Sequence, residues 1–194
     1  MDKEHVIEYF SKLAPNWDAN ATKDADIVNL ILDNAMIGAG KDVLDVACGT
    51  GILIPDYLER GAASVTGIDI TDKMAEIARS KFPQKEVEII CGDVEETDFG
   101  RAFDCIVVYN AFPHFPDPER IVSHLSSFLR PGGTLTVAHG MSREKINSHK
   151  NGKPGNVSNG LIAAEDLVAV FGKYLTVTTV ISDDRMYQVT GCKK

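Results

Sequence analysis

Seven residues, Asp45-Val46-Ala47-Cys48-Gly49-Thr50-Gly51, join an apolar strand-like pentapeptide to a segment of helical pattern. Small residues in such a turn let the backbone pass close beneath a ligand with no Cβ in the way. In open α/β sheets, ligands sit just beyond the carboxyl ends of the strands. Three more turns fall on that same edge. Asp69 ends the next apolar run, where a carboxylate can accept both hydroxyls of a ribose. Gly92-Asp93-Val94 follows the third run, with Asp93 placed to take an adenine amino group. Asn110-Ala111-Phe112 follows the fourth. The chemistry these four turns predict is recognition of an adenosine with a free ribose.

Spacing separates this from dinucleotide binding. A pyrophosphate needs G-x-G-x-x-G with the phosphates on a helix N-terminus. Here the loop reads A-x-G-x-G, continues Ile52-Leu53-Ile54, and opens on an acid. That suits a zwitterionic amino-acid moiety better than two phosphates.

The turns are positioned by alternating strand and helix patterns from about residue 40 onward, which predicts an α/β fold with a mainly parallel sheet. Val6, Ile7, Phe10 and Leu13 have helical spacing up to Pro15, and a second helix is expected over Asp24–Met36. Strands are expected at Asp42–Val46, Ser64–Asp69, Glu86–Cys91, Phe103–Tyr109 and Thr134–His139. Helices are expected at Ile52–Arg60, from a Thr71 cap to about Phe82, and after the Asp117-Pro118 start. Pro131-Gly132-Gly133 should turn the chain into strand five. Residues 140–160, rich in Gly, Asn and Ser, read as a long excursion. A helix over Ala163–Tyr174 and closing strands at Leu175–Ile181 and Met186–Gly191 complete the chain. The architecture expected is a Rossmann-like, doubly wound, seven-stranded, mainly parallel sheet with its last strand antiparallel and N-terminal helices as a lid. One domain is expected, divided into a lid (1–40), a ligand-binding core (41–139) and a substrate loop, helix and closing strands (140–194).

Composition bounds the function classes. The 194 residues suit one domain. A net charge of -8 argues against a broad nucleic-acid face. No apolar run reaches the ~18 residues that span a bilayer. The charged start Met1-Asp2-Lys3-Glu4-His5 leads into no signal-peptide core. Cys48, Cys91, Cys105 and Cys192 form no C-x-x-C pair, which indicates a reduced, cytoplasmic protein. A monomer or homodimer without nucleic-acid or membrane partners is expected.

Taken together, Val43–Gly51, Gly67-Ile68-Asp69, Gly92-Asp93-Val94, Phe103–Phe115 and Leu129-Arg130-Pro131-Gly132-Gly133 resemble the class I S-adenosylmethionine-dependent methyltransferases, in the small-molecule group with a VLD-x-x-CGTG loop. The resemblance covers roughly residues 40–140. It implies S-adenosylmethionine as cofactor, S-adenosylhomocysteine as product and a small-molecule acceptor. It also implies that Asp45, Ala47, Cys48, Gly49 and Gly51 surround the methionine part and that Asp69 holds the ribose. Gly92, Asp93 and Val94 would flank the adenine, with Ile70, Met74, Asn110 and Ala111 lining the pocket. Ala47 stands where many members have glycine. Met74 serves equally as core. Cys48 has no basic neighbour in sequence and reads as a small packing residue rather than a nucleophile.

Three segments should cover the acceptor. The first holds Tyr9, Phe10 and Trp17 in a Y-F-x-x-x-A-P-x-W-D pattern similar to the family's lid, Trp17 being either a cover or a packing residue. The second holds His114 and Phe115, with His114 either functional or orienting. The third runs from His139 through Ser142, Arg143 and Asn147 to His149, either an acceptor-facing cluster or a solvated loop with a capped turn. His139, His149 and His114 are the candidate catalytic groups, as bases or, less favoured because their spacing lacks H-x-x-x-H compactness, as metal ligands. Methyl transfer relies mainly on orientation, so a missing triad does not count against it. The competing expectations are a nucleoside-binding regulator or scaffold without turnover, a quinone-type C-methyltransferase, and an NAD-dependent oxidoreductase.

Overall fold

The computed structural model describes residues 3–150 and 157–194, with 149 and 150 given by their backbone alone. Among these, seven strands form one sheet in the order β3-β2-β1-β4-β5-β7-β6. They are β1 (Asp42–Val46), β2 (Ser64–Asp69), β3 (Val87–Cys91), β4 (Phe103–Tyr109), β5 (Leu129–His139), β6 (Thr176–Ser182) and β7 (Tyr187–Cys192). The first five run parallel, and β7 inserts antiparallel between β5 and β6. This is the expected doubly wound sheet with an antiparallel end. The order reverses between β1 and β4, so the carboxyl ends of these two strands open the crevice that such folds use for ligands.

Burial follows strand position. β4, at the centre, is buried almost throughout, whereas β6 at the edge alternates exposed and half-buried residues. The helices are α1 (Lys3–Leu13), α2 (Trp17–Asn20), α3 (Ala25–Asn34), α4 (Ile54–Glu59), α5 (Asp72–Lys81), α6 (Pro118–Ser127), α7 (Arg143–Lys150) and α8 (Ala164–Phe171). One apolar layer unites α3 and α4 with Val43, Cys105 and Val107. The other unites α6 and α8 with Leu44, Ile106 and Val137. Asp24 and Asp117 cap α3 and α6, each carboxylate accepting two backbone N–H groups of the first turn. Gln188 Nε2 donates to the Ile31 carbonyl at 3.1 Å and Asn34 Nδ2 donates to Gln188 Oε1 at 3.0 Å, so the polar groups between α3 and β7 are satisfied.

Several expectations need correction. The anticipated excursion is helical over residues 143–150, which form α7, and the expected cap at Ser142 is present, its hydroxyl accepting the Lys145 N–H. Thr71 precedes α5 without capping it through its side chain, because its hydroxyl turns to the Asp69 carboxylate, which also accepts the Thr71 N–H. The first helix does stop at Pro15, as expected, with α1 ending at Leu13. A 3-10 turn over Ala14–Asn16 carries the chain into α2. Pro131-Gly132-Gly133 lies within β5, where the pairing with β4 shifts register between Phe103 and Cys105. Gly133 is required there: a Cβ would sit 2.9 Å from the carbonyl oxygens of Arg130 and Asp104.

Candidate functional site

The turns after β1, β2, β3 and β4 meet at one cavity of about 500 Å³, roofed by α1 and α2. That volume suits a small-molecule site. Asp69 organises its floor. One carboxylate oxygen accepts the Gly49 N–H and the other accepts the Thr71 N–H, both at 2.8 Å. A carboxylate offers about four acceptor sites, and the Thr71 hydroxyl takes a further one, so the carboxylate keeps acceptor capacity for a ribose hydroxyl without releasing either loop. Burial raises the Asp69 pKa, and the two N–H donors and the Thr71 hydroxyl oppose that rise.

The β1 turn is held in an uncommon conformation. Ala47 has φ 54°, Gly49 φ 57° and Gly51 φ 82°. A left-handed residue with a Cβ costs roughly 1–2 kcal/mol, so Ala47 stores strain at the cavity wall in a position that glycine would occupy freely. Asn110 after β4 also lies there, at φ 55°, a conformation asparagine adopts more readily than alanine. Its Oδ1 accepts the Gly140 N–H at 3.0 Å, tying the ends of β4 and β5 together.

Of the residues singled out for the nucleoside, Ala47, Cys48, Gly49, Asp69, Ile70, Met74, Gly92, Asp93, Val94, Asn110 and Ala111 line this cavity. Asp45 and Gly51 do not. Asp45 lies beneath the loop, 3% exposed, where burial first and the Asp69 carboxylate second push it up to about 7. Gly51 packs behind the turn: a Cβ there would meet Ile54 Cδ1 and Phe82 Cε2 at 2.7 Å. Burial holds the Cys48 thiol well above its ordinary pKa, so it carries no thiolate at neutral pH.

The roof is fastened at two points. Lys3 of α1 pairs with the Asp93 carboxylate and lies 3.2 Å from Glu95 Oε2. Asp18 of α2 accepts the Thr50 hydroxyl and pairs with Lys81 at 2.8 Å. Between these latches, Phe10 packs edge-on against Trp17 and His114, at 5.7 and 5.0 Å between ring centroids. Trp17 Nε1 lies 3.8 Å from the point a Gly49 Cβ would occupy, so the indole covers the glycine turn. Tyr9 packs edge-on against Phe10, with 5.2 Å between ring centroids, and does not line the cavity.

His114, Phe115 and His139 line the remaining wall. His114 Nδ1 is 2.6 Å from the Val157 carbonyl, which anchors the ring. His139 is 2% exposed and its Nε2 has no hydrogen-bond partner. Burial, with a smaller contribution from His114, lowers its pKa to about 3, so the ring is neutral across the physiological range. Ser142, Arg143 and Asn147 do not reach the cavity. Ser142 caps α7, while Arg143 Nε and Asn147 Nδ2 donate to the Leu161 carbonyl and Asn147 Oδ1 accepts the Leu161 N–H. Together they clamp the returning segment that closes the wall. The His149 side chain lies outside the described residues. No cluster of three or more metal-ligating side chains occurs among the described residues.

Lys3, Ile52, Tyr109, Met141, Ile146 and Ser158 also line the cavity without having been anticipated. Met141 and Tyr109 had a signal, since each adjoins the end of a strand that carries a candidate residue. Lys3 and Ser158 had none, because their approach depends on how α1 and the 157–161 return fold over the sheet.

Residues 44–137 match the family described as methyltransferase domain. The chain is 35% identical over 141 residues to a malonyl-[acyl-carrier protein] O-methyltransferase of Acetivibrio thermocellus, covering 71% of this chain and 50% of the relative. It is 38% identical over 141 residues to a ubiquinone biosynthesis O-methyltransferase of Chromobacterium violaceum, covering 67% and 60% respectively. The chain thus spans half to three-fifths of the length of these curated relatives. Among solved structures, the N-methyltransferase NodS of Bradyrhizobium japonicum in complex with S-adenosyl-L-homocysteine superposes with a TM-score of 0.76, at 15% identity over 97% of this chain and 98% of that one. A likeness at that identity establishes the fold.

Proposed function

We propose that this chain, which belongs to the class I S-adenosylmethionine-dependent methyltransferases, binds S-adenosylmethionine in the cavity under α1 and α2 and transfers its methyl group to a small-molecule acceptor. The observation that carries this reading is the Asp69 carboxylate at the cavity floor, bridging the Gly49 and Thr71 N–H groups with acceptor capacity left over. With Asp93 and Glu95 also on the wall, the site favours a neutral adenosine and a cationic sulfonium and would repel a pyrophosphate.

When bound, the cofactor supplies an electrophilic methyl carbon on a positively charged sulfur. The chain's own contributions are holding, aligning and drying. Asp69 fixes the ribose, while Asp93 and Val94 flank the adenine. Ala47, Cys48 and Gly49 bring backbone close to the methionine part. Trp17 and Phe10 exclude water from above. Aligning two reacting groups within about 3–3.5 Å can supply on the order of 7–11 kcal/mol, so orientation is the main catalytic effect. His139, with His114 beside it, faces the acceptor. As a neutral ring, its Nε2 can accept a hydrogen bond from the acceptor atom and aim that atom's lone pair.

Calorimetric titration with S-adenosylhomocysteine and with NAD tests the cofactor. Micromolar binding of the first and none of the second is expected, and the reverse would overturn the assignment. A mass-spectrometric screen of a cell extract with labelled S-adenosylmethionine then identifies the methylated product.

A further inference from the structure

We infer that the acceptor entering this cavity is an uncharged, flat, largely apolar molecule that presents one hydroxyl or amine to Nε2 of His139. The inference rests on the methyl-transfer reading and names its substrate class.

The charge on the cavity wall is divided unevenly. Among the described residues, its carboxylates and ammonium are Asp69, Asp93, Glu95 and Lys3. All four come from α1 and from the ends of β2 and β3, the half assigned to the adenosine. The other half is built by the ends of β4 and β5, by α7 and by the roof. Its walls are Phe10, Trp17, Tyr109, Phe115, Met141 and Ile146. These offer aromatic and aliphatic surface, which fits a flat ring, and no counter-charge. An ion brought there would lose its hydration with no opposite charge among the described residues to replace it, a costly form of burial.

The polar atoms in that half are largely committed. Asn110 Oδ1 accepts the Gly140 N–H, His114 Nδ1 is engaged by the Val157 carbonyl, and the Ser158 hydroxyl accepts the Gly160 N–H at 3.2 Å. Among the described residues, the buried side-chain atom of that half left without a partner is Nε2 of His139. A buried, unsatisfied polar atom on a cavity wall calls for a complementary group on the ligand. One hydrogen-bonding X–H group in an otherwise apolar body meets that demand and leaves no charge stranded.

The test uses the full chain loaded with S-adenosylhomocysteine and three probes of one shape: 2-naphthol, 2-naphthoate and 2-naphthylmethylammonium. Binding is read by ligand-observed magnetic resonance and calorimetry at neutral pH. Naphthol should bind at least tenfold more tightly than either ion. An ion that binds as well as naphthol, or failure of all three, overturns the inference. Loading with the homocysteine nucleoside is measured first and involves no acceptor, so failure of the methyltransferase reading shows separately. In His139→Leu, naphthol should weaken at least fivefold while nucleoside affinity stays the same. His139→Gln, which keeps a hydrogen-bonding group, should recover at least half of that loss. Undiminished naphthol binding in both variants removes His139 from the recognition.

Discussion

His139 on β5 stands opposite Tyr187 on β7, with 6.2 Å between ring centroids, and each keeps one buried polar atom without a hydrogen-bond partner. A pair of strand neighbours that both leave polar atoms unsatisfied is costly in a core, at roughly 1–3 kcal/mol for each group. On the proposed reading, His139 recovers that cost when an acceptor fills the cavity beside it. His139→Leu should therefore slow methyl transfer on the order of 10²-fold, the low end of what a proton-handling side chain contributes. Nucleoside affinity should be kept. Because the ring already stays neutral down to about pH 3, kcat/KM of the native protein should show no inflection near the ordinary histidine value. A clear acid limb there that disappears in His139→Leu would contradict this.

The same histidine and Asp45 should pull stability in opposite directions. His139 titrates at about 3 when folded, against 6.5 for a free ring. On acidification below 6.5 the unfolded chain takes the proton first, so His139 removes stability as pH falls towards 3. Asp45 titrates at about 7 when folded, against 3.8 when free. Its contribution is complete below 3.8 and is lost as pH rises through 7. Each slope is on the order of 1.4 kcal/mol per pH unit, and they nearly cancel over roughly pH 4 to 6.5. Asp45→Asn should therefore lose stability as the solution is acidified across that window, and His139→Leu should gain it. The raised Asp69 is present in all three proteins and drops out of the comparison. Urea midpoints at three pH values in the window check this. Parallel profiles for the two variants would refute it.

The roof should report on its own closure. Trp17 is the only tryptophan and lies over the glycine turn, so its fluorescence should change when a nucleoside binds beneath it. Asp18→Ala removes both the Thr50 and Lys81 contacts of the α2 latch. Exposed ion pairs contribute up to about 1 kcal/mol each, so nucleoside affinity should fall by about 3- to 10-fold. The fluorescence change should shrink, and the unfolding midpoint should move little. An unaltered titration would mean that the latch does not govern the roof.

The sheet and its ligand edge were legible because their signals are local. Each strand is an apolar run with its own turn residues, and Asp69, Asp93 and Asn110 lie where those runs stop. The roof was legible only as a pattern. Lys3 gives no sign in sequence that it will reach Asp93, ninety positions away, since that pairing depends on the angle at which α1 crosses the sheet. Arg143 and Asn147 misled for a related reason. Their hydrogen-bonding groups suggested an acceptor site, but α7 turns them towards Leu161. Polar residues in a loop announce that they will find partners and not which partners.

The two glycines of the first turn divide binding from packing, which a motif alone cannot do. Gly49 and Gly51 both adopt positive φ, so alanine at either costs roughly 1–2 kcal/mol in backbone strain. Their surroundings differ. A methyl at Gly51 would collide with Ile54 and Phe82 at 2.7 Å, behind the turn and away from the cavity. Overpacking adds about 1–3 kcal/mol, so Gly51→Ala should destabilise the fold by about 2–5 kcal/mol. The fraction that remains folded should bind S-adenosylhomocysteine nearly as the native protein does. A methyl at Gly49 meets nothing nearer than the Trp17 indole nitrogen at 3.8 Å. It would project into the space between roof and turn that the ligand must occupy. Gly49→Ala should therefore stay within about 2 kcal/mol of native stability while losing at least tenfold in nucleoside affinity. Denaturant unfolding and calorimetry on the two variants separate these outcomes. If Gly51→Ala instead lost affinity at native stability, Gly51 would have to be assigned to the ligand and not to the core.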